Sequence, residues 1–195
     1  MGLLRALKPG GLKSAGSIRH KGKRLSDILA AHALFIRGRE GGERADLSGA
    51  KLTHADLAKA NLAYANLRGV NLEGASLRDA KLGSADLADA NLRKADLRRA
   101  DLTETTFDGA DLTEAQLGGA ELFRATLRNA ILRRADFGAT NLRAADVQGA
   151  DFDGANMQTT ILRETNLDGV DLSGVDLSTA ILPRGYKAGA ATKAE

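Results

Sequence analysis

The sequence predicts an all-β chain in which most of the polypeptide winds as a square coil, a parallel β-helix of about seven turns with a short α-helix capping its N-terminal end. Three observations predict this class. An apolar residue recurs every five positions, a small residue precedes it by two, and turn-forming residues recur every twenty positions. Such internal periods are typical of solenoids, in which each repeat packs on its neighbours.

The five-residue period excludes the two usual backbones. An apolar residue stands at every fifth position from Leu47 to Leu182, which makes 28 units without an insertion. Five residues turn a helix by about 140°, so a helix would scatter these side chains around its circumference. A flat strand would send successive ones to opposite faces. A chain that bends after each unit points them all inward.

The other positions of the unit support this interpretation. Ala lies two residues before the apolar centre in 21 units, and every exception is small: Val70, Thr105, Thr140, Thr160, Thr165, Val170 and Val175. The residue before the centre is Asp in 11 units and Asn in seven, and we expect these side chains to stabilise turns. One column tolerates left-handed backbone at every twentieth residue and indicates four sides per coil: Gly49, Gly69, Asp89, Gly109, Asn129, Gly149 and Gly169.

The A-[DN]-L-x-x units resemble the pentapeptide-repeat family. The resemblance covers residues 45–182 and implies a right-handed quadrilateral β-helix. The best-known activity of that family is DNA mimicry, in which an acidic rod occupies the DNA site of a type II topoisomerase such as gyrase and gives quinolone resistance. Members also dimerise end to end through C-terminal coils.

The ends of the chain need separate interpretations. Residues 1–24 carry seven Lys/Arg and no acid, which predicts a disordered basic tail, either merely solvated or attached to nucleic acid or an anionic membrane. Residues 25–44 predict a capping helix and lead-in, with Ser26 as N-cap. One helical face would cover the first coil: Leu25, Ile28, Leu29, His32 and Phe35.

Residues 183–195 form a C-terminal tail after Pro183 breaks the phase. Ile161 and Ile181 take outward positions on one predicted side, one coil apart, and Tyr186 could fold over the last coil. This possible association surface predicts a weak homodimer through the C-terminal coils.

The composition offers no catalytic constellation. The absence of Cys excludes disulfides and thiolate chemistry, and the three His lack metal-ligand spacing. We therefore expect no enzyme activity, cofactor, metal or small-molecule substrate. No apolar run reaches the roughly 18 residues of a membrane span, and the first residues do not resemble a secretory signal, so a cytoplasmic protein is expected.

Function is then expected on the surface of the rod. Residues 45–182 hold 21 acids against 15 Lys/Arg, yet the two most projecting positions hold nine acids against 13 Lys/Arg, which argues against a DNA mimic. The basic residues include a candidate interaction strip, which is either solvated surface or a ligand site: Arg78, Arg93, Lys94, Arg98, Arg99, Arg133 and Arg134. The sequence favours a scaffold or interaction protein with an unidentified protein partner. A topoisomerase-binding DNA mimic and a membrane-surface adaptor are the alternatives.

Overall fold

The computed structural model describes residues 11–186. A 3₁₀ turn at Ala15–Ser17 comes first, followed by the short antiparallel strands β1 (Arg19–His20) and β2 (Lys23–Arg24). Helix α1 spans Leu25–Ile36. The repeat region follows and contains isolated parallel β-bridges in place of extended strands.

The bridges establish a coil of twenty residues. Asp46 pairs with Asn66, Lys51 with Asn71, and the pattern continues at the same separation to Asp146 and Asn166, with one further pair at Ile161 and Ile181. From Leu47 to Leu142, the N–H of each apolar centre donates to a carbonyl 19 residues later, as from Leu47 to Asn66 at 2.7 Å. Four five-residue units therefore complete one coil, and the side of the coil repeats every twentieth residue.

Every corner of the coil uses the left-handed backbone region. From residue 49 to residue 169 each residue two after a centre has a positive φ, including non-glycines such as Arg99 at 57° and Tyr64 at 63°. The sequence analysis noted tolerance of this conformation in one column, and the structure has the conformation in all four. The corner geometry requires it on all four sides, and the short turn bond, as from the N–H of Ala50 to the carbonyl of Leu47 at 3.0 Å, closes each one.

The core consists of stacked centres and small residues. The centres from Leu47 to Leu162 are at most 1% exposed, and the bulkier Phe107, Phe137 and Phe152 are accommodated in the same columns. The rings of Phe137 and Phe152 lie 5.8 Å apart. Each buried Leu stabilises the fold by roughly 1.5–3 kcal/mol relative to exposure. Since Ala supplies most of the second inward position, the coil stays narrow.

The segment before α1 is folded against the rod. Lys13 forms a parallel bridge with Ala55, donating to the carbonyl of His54 at 2.7 Å and accepting from the N–H of Asp56 at 2.8 Å, and Ile18 is buried. The prediction of disorder is therefore wrong for residues 11–24. The first coil presents an unpaired edge, and this segment satisfies part of it. The remainder of the predicted tail, residues 1–10, lies outside the described residues, as do residues 187–195.

Helix α1 covers the N-terminal end through part of the predicted face. Leu25 and His32 are fully buried, and Ile28 and Leu29 are half-buried against the core. Phe35 is 39% exposed, so its placement in the cap face is wrong; it stacks on the His32 ring at 5.7 Å. The N-cap is Arg24 rather than Ser26, whose hydroxyl instead donates to Asp27.

Candidate interaction surfaces

Where the residue before a centre is Asp or Asn, its side chain secures its own turn. The Oδ1 of Asp96 accepts the N–H of Arg98 at 3.2 Å, and the Oδ1 of Asn71 accepts that of Glu73 at 3.0 Å. The same two-residue bond recurs on all four sides, as the sequence predicted. The Lys21 ammonium and the hydroxyl and N–H of Ser48 hold the pKa of Asp46 well below its usual range. These Asp and Asn side chains are structural.

Many of the same carboxylates also bind an arginine from the preceding coil. An arginine one residue after a centre reaches the aspartate 18 residues later: Arg78–Asp96 at 2.9 Å, Arg93–Asp111 at 3.2 Å, Arg128–Asp146 at 2.6 Å and Arg133–Asp151 at 2.6 Å. Exposed pairs contribute about 0.2–1 kcal/mol each. One oxygen thus secures a turn while the other links two coils.

The predicted basic strip lies on two adjoining faces, but its charge is largely compensated. Arg98 joins Arg78 on Asp96, and Arg99 binds Asp79 through two parallel bonds of 2.8 Å. Donation from Arg99 lowers the pKa of Asp79. Lys94 lies 3.7 Å from Glu114. Of the seven strip residues, Arg134 is the one with no ion pair among residues 11–186.

The face that carries Arg93 and Arg133 has charges that alternate from coil to coil. The predicted basic strip did not include this order, which every twentieth residue of the sequence shows. Successive coils bear two cations or two acids: Arg93 and Lys94, then Asp111 and Glu114, then Arg133 and Arg134, then Asp151 and Asp153. We call this surface the alternating face. A groove of about 370 Å³ crosses it at Thr113 and Ile131.

The predicted C-terminal surface is brought together in part. Ile161 and Ile181 form a parallel bridge, and Ile181 is 42% exposed while Ile161 is half-buried. Tyr186 packs partly buried against the core at this end. Ile131, which is 40% exposed on the alternating face, was not predicted.

The last two coils separate on two faces. Between the bridges Asp146–Asn166 and Ile161–Ile181, no backbone hydrogen bond joins these coils within the described part of the chain. A cavity of about 470 Å³ opens there, lined by residues that include Asp151, Asp153 and Asp171. Donation from the Asp153 N–H lowers the pKa of Asp151, and the nearby charge of Asp171 opposes that shift. Like charges one coil apart weaken the stacking at this end.

His32 is a structural residue of the cap. Its Nδ1 accepts the N–H of Ala45 at 3.0 Å, which requires the proton on Nε2. Nε2 makes no hydrogen bond of normal geometry. The nearby Ala63 backbone acts to raise the pKa of the ring. Burial dominates and lowers the pKa of His32. Across residues 11–186, neither a cluster of potential metal ligands nor a helix of membrane-spanning length and apolarity occurs.

Comparison with known proteins agrees with the coil geometry. The pentapeptide repeats model matches residues 43–79, 80–119, 120–158 and 160–182 with eight copies. The chain belongs to the pentapeptide repeat family. Members of the family form right-handed quadrilateral β-helices, and the bridges between residues twenty positions apart agree with that architecture. They are in general structural or interaction proteins.

Several solved structures are similar to the chain. HetL, a pentapeptide repeat protein involved in heterocyst differentiation regulation in Nostoc, is 28% identical, with 72% of this chain and 81% of that one covered and a TM-score of 0.37. A pentapeptide repeat protein of the Arabidopsis thaliana thylakoid lumen is 26% identical over 67% and 75%, with a TM-score of 0.42. QnrB1, a plasmid-mediated fluoroquinolone resistance protein, is 22% identical over 72% and 87%, with a TM-score of 0.32. Comparison with curated protein sequences gives no significant match.

Proposed function

We propose that the chain is a non-enzymatic interaction or scaffold protein of the cytoplasm, whose rod presents its outward side chains to a protein partner. The observation that carries this proposal is the fixed register of those side chains. Every outward position repeats each twenty residues, and ion pairs such as Arg93–Asp111 hold the charged groups between coils. A preorganised surface loses little conformational entropy on binding, which favours recognition by a rigid face.

The predicted basic strip is proposed to bind an acidic surface of the protein partner. Most of its guanidinium groups already bind one carboxylate of the chain. A ligand must therefore displace that carboxylate or bind the same guanidinium as a second acceptor. Arginine has five donors, and a guanidinium in an ion pair keeps others for a second acceptor. Arg93, Arg98 and Arg133 are therefore proposed to contact acidic side chains through their outer N–H groups.

The test begins with capture of partners from native extract and continues with purified components. A captured protein is purified, and its affinity is measured by calorimetry for the full chain and for a variant with Arg93→Glu, Arg98→Glu and Arg133→Glu. We expect a loss of at least tenfold. Arg163→Glu, on another face, is the control and should bind as the unmodified chain. Equal affinity of all three proteins contradicts the role of the strip.

A second candidate, the topoisomerase-binding DNA mimic, is favoured by one face. The face whose centres begin at Leu47 carries six aspartates against Arg68 and Arg128, and three of the six also hold a turn. Three of the six have no ion pair among residues 11–186: Asp86, Asp108 and Asp168. A gyrase supercoiling assay tests this candidate. Inhibition by the chain, relieved by changing these three residues to Asn but not by Asp136→Asn, would support mimicry. No inhibition at all would reject it.

Two association proposals concern the ends. The basic N-terminal segment, residues 1–24, is proposed to attach to an anionic membrane or to nucleic acid. Residues 11–24 pack on the rod, but the side chains of Lys13, Arg19 and Arg24 remain exposed. Flotation with anionic vesicles and a DNA-binding titration, each with and without residues 1–24, test it; unchanged binding would contradict it. A weak homodimer through Ile161, Ile181 and Tyr186 is tested by sedimentation of the full chain and of a chain ending at Leu182. The idea is wrong if both are monomeric at high concentration.

A further inference from the structure

The charges of the alternating face are complementary to the same face turned end for end. Every coil of cations would then lie opposite a coil of acids. Four successive coils carry two cations, two acids, two cations and two acids. We propose that this face binds a second copy of the chain laterally, with the two rods antiparallel. The twofold axis lies between the coil of Glu114 and the coil of Arg134.

The symmetry determines which residues meet. In an antiparallel pair the coil of Arg93 opposes the coil of Asp153 in the second copy, and the coil of Glu114 opposes that of Arg134. Positions within the unit are preserved, so Arg93 faces Asp153 and Glu114 faces Arg134. A twofold axis along the rods would instead oppose each coil to its own copy, so that the coil of Arg133 and Arg134 would face the same two cations. Charge thus selects the antiparallel arrangement.

The groups that this arrangement joins include those that the single chain leaves unpaired. Arg134 and Asp153 have no ion pair among residues 11–186, whereas Glu114 has only the 3.7 Å contact with Lys94. A register displaced by one coil along each rod would also oppose unlike charges, with Glu73 facing Arg133. It would leave Arg134 opposite Gly74 and Asp153 opposite Thr53, so the first register is favoured.

The shape of the alternating face also fits the proposed antiparallel register. Thr113 is small, and the groove of about 370 Å³ lies over it. In the antiparallel pair, Arg133 of the second copy opposes Thr113, and its side chain is 59% exposed and projects from the face. By the same rule the exposed Ile131 of one copy faces Asp111 of the other, and the contact removes part of the Ile131 side chain from water.

The proposed dimer is held by exposed charges and should depend on salt. The Debye length falls from about 30 Å at about 0.01 M salt to about 3 Å at about 1 M salt, so association should be present in the first and absent in the second. Sedimentation velocity of the full chain measures this. A chain that stays monomeric in low salt at millimolar concentration overturns the proposal.

Charge exchange tests the register directly. Arg134→Glu alone and Glu114→Arg alone should each abolish self-association, because each places like charges across the axis. An equimolar mixture of the two variants should associate as the unmodified chain does, since both opposed pairs are restored between the different copies. A mixture that remains monomeric while both variants keep their circular dichroism spectra overturns the proposal.

Two control variants separate this contact from the alternatives. Glu73→Lys should leave association intact, because Glu73 meets Arg133 only in the displaced register; loss of association would overturn the proposed one. Ile181→Lys alters the C-terminal association surface and should not affect the lateral dimer. Dimerisation that Ile181→Lys removes and Arg134→Glu does not is end-to-end association, and it would likewise overturn the lateral arrangement.

Discussion

The left-handed corners give a prediction in which one type of substitution has opposite effects at two positions. Ala139 and Ala58 are both exposed alanines of the repeat region. Ala139 occupies a corner with a φ of 56°, whereas Ala58 lies one position earlier in its unit, outside the left-handed region. Replacing each by glycine changes one methyl group and leaves the core untouched.

The expected magnitudes follow from two opposing terms. A left-handed backbone costs an alanine roughly 1–2 kcal/mol, and glycine removes that cost. Glycine also raises the entropy of the unfolded chain, which costs about 0.5–1 kcal/mol. Ala139→Gly should therefore raise the free energy of unfolding by about 0.5–1 kcal/mol. Ala58→Gly should lower it by about 0.5–1 kcal/mol, because only the entropic term applies.

Thermal and denaturant unfolding followed by circular dichroism measure the difference. In a chain of this size 1 kcal/mol corresponds to roughly 2–4 °C in Tm, so the two variants should separate by about 2–8 °C. The variant Ala144→Gly, at a second corner with a φ of 56°, is a repeat of the test and should behave as Ala139→Gly. Equal destabilisation by the substitutions at positions 139 and 58 would refute the reasoning that strain is stored at the corners.

Three further predictions concern buried contacts. Thr140→Val should destabilise the fold by about 0.5–1.5 kcal/mol, measured by denaturant unfolding, because the buried Thr140 hydroxyl donates to the carbonyl of Leu117 at 2.9 Å. Because burial lowers the pKa of His32, the unfolded state binds a proton more readily than the folded one, and stability should be greatest above about pH 6.5 and fall at lower pH. His32→Gln should flatten the pH dependence of Tm. An unchanged dependence in that variant would contradict the prediction. Gly42→Ala should lower protection of α1 from hydrogen exchange, because the added Cβ would lie 2.4 Å from the backbone nitrogen of Phe35; unchanged protection would contradict that clash.

The sequence predicts the structure of the rod better than that of its N-terminal end. The inward positions, the turn role of the residue before each centre and the span of the helical cap follow from local patterns, and the structure has the same features. The fold of residues 11–24 does not follow, because composition alone predicts disorder for a basic segment rich in Gly and Ser. That segment is ordered by hydrogen bonds to the open edge at Ala55, which exists only once the coil has formed.

The candidate surfaces show the same division. The sequence by itself determined which residues point outward, because a five-residue unit that bends at each corner leaves the chain no other choice. Only the tertiary structure decided which outward charges meet, as Arg78 with Asp96 or Arg99 with Asp79. Those partners lie 18 to 20 residues apart, so they become neighbours only through the stacking of coils, and the reach of each side chain then selects its carboxylate.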